Sequence, residues 1–376
     1  MLICVADCID NCTASSASHG MKIQEIARLA NVSIATVSRT VNRVATVDPV
    51  LARRVRRVIE KEGYYPNTHA RALGSGRSRV FGLMVPEVST PFFPEVIQAF
   101  TRLGVQHNYE ILLSSVFRDR RLLETAARQM IERRVDGVAI LTFGEEESLI
   151  DIFRRRRVPV FAIDADCAGR LLKSVRIDYE PGIRQTVQHL AALGHKRIAY
   201  VGGTARLKTA LMRKNAFQAC MQEIGLTVSP EIIMEGDHTM EAGADAAMAL
   251  ASRRERPTAI VCSNDLTAIG VIRKAFDLSL DIPEDLSVVG FDDIPFAQHV
   301  IPPLTTVQIS QKEIADAAFA ALLNAAEPAL DGDARSLNSI PTYLVVRAST
   351  GMAPDRLRDA RRSPPRGAYG QANRYI

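Results

Sequence analysis

Apolar residues in this chain follow two rhythms. Between residues 21 and 63 they recur every three or four positions, and from residue 80 onward they gather in short continuous runs. The first spacing lines one face of a helix, whereas short β-rich runs between helical stretches are the mark of buried strands. Ile23, Ile26, Ala27 and Ala30 predict a first helix. Asn-Val-Ser at 31–33 predicts a turn, because Asn tolerates the left-handed conformation and Ser33 is a good N-cap. A second helix then runs from Ile34 to about Val41 and buries Val37 and Val41; Ala27 is small enough for two helices to cross closely. Asp48-Pro49 opens a third helix, with Pro at its first position and Val55, Val58 and Ile59 facing inward, and Gly63 ends it.

Beyond Val80 the runs VFGLMV, YEILLSSV, VDGVAIL, VPVFAID, RIAYVGG, AIVCSND and SVVGFDD alternate with helical stretches such as Pro94–His107 and Glu180–Leu193. Alternating β and α segments imply parallel sheets covered on both faces. The stretch of about 270 residues exceeds what one open sheet usually needs, which predicts two lobes. A ligand would sit between them, beyond the carboxyl ends of the strands.

Composition adds a charge asymmetry. Residues 21–77 hold eleven Lys and Arg against four Asp and Glu, a net of about +7, within a chain of 376 residues whose net charge is +5. Positive charge gathered in a small head is what a polyanion binder needs, although charge alone fits a solvated helix face equally well. No apolar run approaches the roughly 18 residues that cross a bilayer, and MLICVADCIDNCTASSASHG lacks the basic start of a signal peptide. Cys4, Cys8 and Cys12 come without a CxxC pair or neighbouring His ligands, so no metal site is expected; Cys167, Cys220 and Cys262 read as reduced core residues.

The second helix exposes the chemistry. Ile34, Ala35, Thr36, Ser38, Arg39 and Asn42 fall on its outer face. Arg39 can donate two hydrogen bonds to guanine, and Ile34 and Ala35 can meet a thymine methyl. Ser33, Thr36, Ser38 and Asn42 are short donors suited to phosphate oxygens, which fix register rather than read sequence. Arg39 taken alone reads equally as a surface ion pair; the combination of turn, cap, small residue and exposed donors favours DNA.

ANVSIATVSRTVN together with GYYPNTHARAL closely resembles the lac/gal repressor family of bacterial transcription regulators, and the similarity runs through residues 21–350. The resemblance implies that Asn67–Leu73 forms a hinge helix on the operator, with Ala70 against the minor groove and Leu73 as the apolar wedge between base pairs. Tyr64 and Asn67 would touch the backbone. Pro66 blocks continuation from Tyr65 and Gly74-Ser75-Gly76 lets the hinge melt; a flexible linker with an incidental Leu is the plainer alternative. The implied domains are a disordered extension or mis-assigned start at 1–20, a helix-turn-helix domain at 21–66, hinge and linker at 67–79, a two-lobed periplasmic-binding-protein-like effector and dimerisation core at 80–350, and a basic disordered tail at 351–376.

Strand ends carry polar groups suited to a hydroxylated ligand. Asn264-Asp265, Asp292-Asp293 and Asp164 each end a run, and each has a plainer reading: Asp265 can cap the next helix and Asp293 a turn. The resemblance selects Arg213, Asn264 and Asp292 for effector contact, with Asp164 and Phe92 behind them; Phe291 either flanks the ligand or supports the loop. Ala216 stands where the family often has Gly. Arg213 suits a sugar acid as well as a neutral sugar.

No GxSxG, HExxH, Walker loop or dinucleotide fingerprint occurs in context, so neither an enzyme nor a cofactor is expected. His195 reads as a turn residue, and VGG at 201–203 is too weak to imply phosphate binding. A pair of hinge helices needs a twofold axis, hence a homodimer, and the C-terminal segment has no Leu heptad for a tetramer. The expectation is a cytoplasmic repressor released from operator DNA by its effector. A regulator of this fold controlled by a protein partner, and a solute-binding protein, are the other readings.

Overall fold

The computed structural model describes residues 21–41, 46–64, 77–115, 119–141, 146–165, 171–327 and 339–354. The expectations for residues 1–20, the tail beyond 354, Asn42, Asn67, Ala70, Leu73 and Cys167 lie outside them. The chain divides into two compact units, Met1–Ser78 and Arg79–Ile376.

The first unit is three helices, α1 (Ile23–Leu29), α2 (Ile34–Val41) and α3 (Pro49–Glu62). Ile26, Ala30, Val37 and Val55 are fully buried at its centre, with Val41, Val58, Ile59 and Tyr64 packed around them. Its ends follow the capping rules. Ser33 Oγ accepts from the Thr36 amide at 3.1 Å, and Asp48 accepts from the Val50 and Leu51 amides at 2.8 and 3.0 Å. Asn31 and Gly63 take positive φ, 50° and 60°, as a turn and a helix C-cap require.

The second unit begins β1 (Val80–Val85), α4 (Phe92–His107), β2 (Glu110–Ser115), α5 (Arg120–Glu132), β3 (Gly137–Ile140), α6 (Glu146–Arg155), β4 (Val160–Ile163) and β5 (Leu172–Asp178). The chain then crosses through α7 (Glu180–Ala192) into β6 (Ile198–Val201), α8 (Lys208–Glu223), β7 (Ile233–Met234), α9 (Met240–Ala251), β8 (Ala259–Cys262), α10 (Asp265–Asp277), β9 (Ser287–Asp292) and β10 (Thr305–Ile309). It returns through α11 (Gln311–Ala326), which packs on α4, β3 and β4, and ends in β11 (Ser339–Val345).

Hydrogen bonding runs in the order β2-β1-β3-β4-β5-β11-β10-β9-β8-β6-β7. Two five-strand parallel halves therefore flank β11, which is parallel to β5 but antiparallel to β10. The core is the two-lobed α/β architecture, with one antiparallel pairing where all-parallel sheets were expected. Three further strands and the two-residue β7 were not marked by the apolar runs. β5 alternates buried and exposed positions and carries Lys173 and Arg176 outward, β11 is interrupted by Pro341, and β10 is only five residues long.

The central strands β3, β4, β6, β8 and β9 are buried at every position, as strands covered on both faces must be. Cys220 and Cys262 are buried free thiols. His195 is more than a turn residue: it is buried, bonded to the Thr258 hydroxyl at 2.9 Å and the Gly351 carbonyl at 3.0 Å, and so pins the C-terminal segment. No helix among the described residues is long and apolar enough to cross a membrane.

Candidate functional site

In the first unit, α2 turns Val37 and Thr40 inward. That orientation leaves Ser33, Ile34, Ala35 and Arg39 exposed and Thr36 and Ser38 half-buried. Ile34 is 47% exposed and is accessible to an apolar group of a partner. The Ser33 and Thr36 hydroxyls bond each other at 2.9 Å, which orders both at the N-terminal end of α2. Helix amides there favour anions. Tyr64 lies half-buried just beyond α3, its amide bonded to the Ile59 carbonyl at 3.1 Å.

In the second unit the polar strand ends converge on Arg213. This residue projects from α8 and is 7% exposed. Its Nη1 donates to the Ser263 carbonyl at 2.5 Å and lies 3.6 Å from Asp292 Oδ1. The guanidinium lies against two neighbouring rings, 4.2 Å from the Phe291 centroid and 5.1 Å from that of Tyr179, a cation–π arrangement strengthened by burial. Burial works against its charge, but Asp292, Tyr179 and Tyr200 more than offset that and raise its pKa.

The first lobe joins through Tyr179, whose hydroxyl donates to Asp164 Oδ2 at 2.8 Å. Asp164 also accepts from the Ile177 amide at 2.8 Å, and its carbonyl accepts from Lys208 Nζ at 3.2 Å. Burial raises the Asp164 carboxyl above the ordinary range, with the hydrogen bonds from the Ile177 amide and the Tyr179 hydroxyl opposing. Asp292 is pushed up to about 7 by burial, against the pull of Arg213. The shift favours the protonated form, which can donate to a ligand oxygen, while the ionised form accepts from a ligand hydroxyl.

Asp164, Arg213, Phe291 and Asp292 are thus brought into one cluster, with Asn264 next to the carbonyl that Arg213 engages. Asn264 is itself the N-cap of α10: Oδ1 accepts from the Thr267 amide at 2.9 Å and Nδ2 donates to the His238 carbonyl at 3.0 Å. Asp265 does not cap that helix. It is fully buried and accepts from the Thr306 hydroxyl at 2.5 Å and the Ile294 amide at 2.8 Å. Asp293 pairs with Arg347 at 2.6 Å instead of capping a turn. Phe291 supports Arg213 from one face and is 2% exposed. Phe92 begins α4, buried edge-on against Phe93.

Tyr179, Tyr200, Lys208 and Ser263 were missed by sequence reasoning. Tyr179 follows β5, the strand without an apolar run to reveal it. Two buried donors of the cluster, Arg213 Nε and the Tyr200 hydroxyl, have no hydrogen-bond partner among the described residues. VGG at 201–203 acquires a packing reason: a Cβ on Gly203 would lie 1.9 Å from His238 Nε2.

Comparison with known proteins identifies both parts of the chain. Residues 22–67 match the model of "Bacterial regulatory proteins, lacI family", and residues 187–350 match "Periplasmic binding protein-like domain". The chain is 34% identical over 286 residues to catabolite control protein A of Priestia megaterium, covering 76% of this chain and 86% of that protein. It is 30% identical over 334 residues to the HTH-type transcriptional repressor CytR of Escherichia coli K12, covering 88% and 97%. Among solved structures, the lac repressor dimer bound to operator and the anti-inducer ONPF superposes with a TM-score of 0.76 at 26% identity, covering 88% of this chain and 99% of that one. A CelR–cellobiose complex gives 0.66 at 25% identity, covering 88% and 99%.

Proposed function

Because the chain belongs to the lacI family of bacterial regulatory proteins, we propose that it is a sequence-specific transcriptional repressor whose operator affinity is set by a small hydroxylated effector at the Arg213 cluster. α2 enters the major groove, with Arg39 on a guanine, Ile34 and Ala35 against thymine methyls, and Ser33, Thr36, Ser38 and Asn42 on phosphates. Tyr64 and Asn67 hold the backbone, and Ala70 and Leu73 occupy the minor groove at the centre of a twofold site. The protein works as a cytoplasmic homodimer and performs no catalysis.

The observation that carries the effector half is Arg213 itself. A buried guanidinium that spans both lobes, with an unpartnered Nε and a carboxylate held only at 3.6 Å, is a group that a sugar or sugar-acid oxygen would satisfy. Asp164, Asn264 and Asp292 supply the remaining polar contacts, with Phe92 and Phe291 as the apolar walls. A ligand that prefers one arrangement of the lobes shifts the population of the other, and operator affinity changes by that difference. The effector releases the operator. The relatives solved with operator DNA and with cellobiose support both halves of this reading.

The decisive experiment is a thermal-stability screen of the full chain against sugars, sugar acids and nucleosides, followed by fluorescence anisotropy on duplex DNA with each hit. A stabilising ligand that weakens DNA binding is expected. A ligand that tightens binding would reverse the sign, and a screen without hits would point to control by a protein partner.

A further inference from the structure

The parallel edge of the first lobe where β1, β3 and β4 begin carries an unusual set of side chains. Arg79, Arg134 and Arg157 precede these three neighbouring strands by one to three residues, and all take left-handed backbone angles, φ 55°, 54° and 57°. Arg134 and Arg157 follow the ends of α5 and α6. At the corresponding left-handed positions after other helices the chain uses Gly63, Asn108, Gly194, Gly225 and Ser279, of which Gly and Asn adopt this conformation at little cost. An arginine there carries some backbone strain, and its recurrence on two adjacent helices concentrates positive charge at this edge.

Around these two lie exposed Arg133, Arg155 and Arg156, with Arg154 paired to Asp151 at 2.8 Å. Arg79 is committed to Glu327 at 3.2 Å and to the Tyr109 ring. The carboxylates near this edge are Glu110, Glu132, Asp136, Asp151 and Glu327. From the edge the basic surface continues into a groove of about 350 Å³ between α5 and α6, lined by Arg128, Arg155, Arg156, Ile131, Ile152 and Glu132. A cation at a helix C-terminus complements the helix dipole, but that gain does not require the left-handed position itself to be arginine.

We propose that this arginine edge is a second, sequence-independent DNA contact that grips phosphates of the duplex flanking the site read by the head. Charge complementarity selects the partner. Chain connectivity makes it reachable: the edge starts at Arg79, and the 13 steps from Tyr64 to Arg77 span at most about 45 Å. The inference rests on the head being a DNA reader.

The test uses the full chain and a duplex enriched from a random library by the wild type, at its core length and with flanks added on both sides. The variant is R133Q/R134G/R156Q/R157G, in which glycine relieves the backbone while removing charge. Its melting temperature is expected to equal or exceed that of the wild type. On the flanked duplex the slope of log affinity against log salt should fall by about 0.9 for each phosphate released, while on the core duplex the two proteins should coincide. An R134K/R157K control should keep the wild-type slope. Identical slopes on the flanked duplex would overturn the proposal. Failure of the wild type to enrich any sequence would overturn the reading of the head instead, and a slope difference on random flanked DNA would still uphold the edge.

Discussion

Asp292 ends β9 with a φ of 110°, buried beside an arginine that is already donating elsewhere. Its carboxyl is pushed up to about 7 by burial, with Arg213 opposing, whereas in the unfolded chain it titrates in the ordinary range near 4. The folded state therefore holds this proton more tightly. The contribution is fully present below pH about 4 and is lost as pH rises to about 7, an effect of at most about 4 kcal/mol. Urea titrations of wild type and Asp292→Asn at stepped pH should show the wild type losing stability relative to the variant across that window; parallel curves would show that Asp292 is not so perturbed. Arg213→Ala removes the opposing charge and should abolish effector binding. It should cost more stability at pH 8, where Asp292 must ionise alone or stay protonated at a penalty, than at pH 6. In the head, Arg39→Ala should cost about 1–3 kcal/mol on the selected duplex and relax preference at one base pair, measured by anisotropy against single-base variants. A uniform loss across all sequences would mean that Arg39 meets a phosphate.

At the scale of elements, the second lobe depends on two helices that touch through glycine. A Cβ on Gly243 of α9 would lie 2.0 Å from the Thr267 carbonyl oxygen, and one on Gly270 of α10 would lie 1.9 Å from that of Met240. Both obstacles are backbone and cannot rotate away. Gly243→Ala or Gly270→Ala should therefore destabilise at the upper end of the usual overpacking range, about 1–3 kcal/mol, read from chemical unfolding. A neutral outcome would show that the pair can slide apart. α10 also positions the site, since its N-cap Asn264 follows the Ser263 carbonyl that Arg213 engages. Helix ends were legible in advance at Ser33, Asp48 and Gly63, where a cap residue met a periodic run. β5 and β11 were not, because each has one solvated side and no continuous apolar run.

For the whole molecule, the chain crosses between halves at α7 and at α11, and β11 lies between β5 and β10. Each lobe is thus built from non-contiguous sequence, and a ligand at Arg213 would act on elements from both. Saturation at about 100 times its dissociation constant should add roughly 2.7 kcal/mol to stability, and an effector that also releases DNA must bind the two arrangements of the lobes unequally. Titrating effector into the protein–duplex complex checks this: displacement should saturate, and the same factor should separate effector affinity with and without DNA.

Local chemistry was enough to determine the three-helix head, the exposed face of α2, the α/β alternation and the strand ends Asp164, Asn264 and Asp292. Periodicity, capping and turn preference are properties of near neighbours, so a single chain displays them. Which strand ends meet is a long-range matter. Tertiary structure alone placed Tyr179 between Asp164 and Arg213, set Arg213 against two rings, buried Asp265 away from its helix cap, and set three left-handed arginines along one sheet edge. Each joins residues far apart in sequence, and only chain topology brings them within bonding distance.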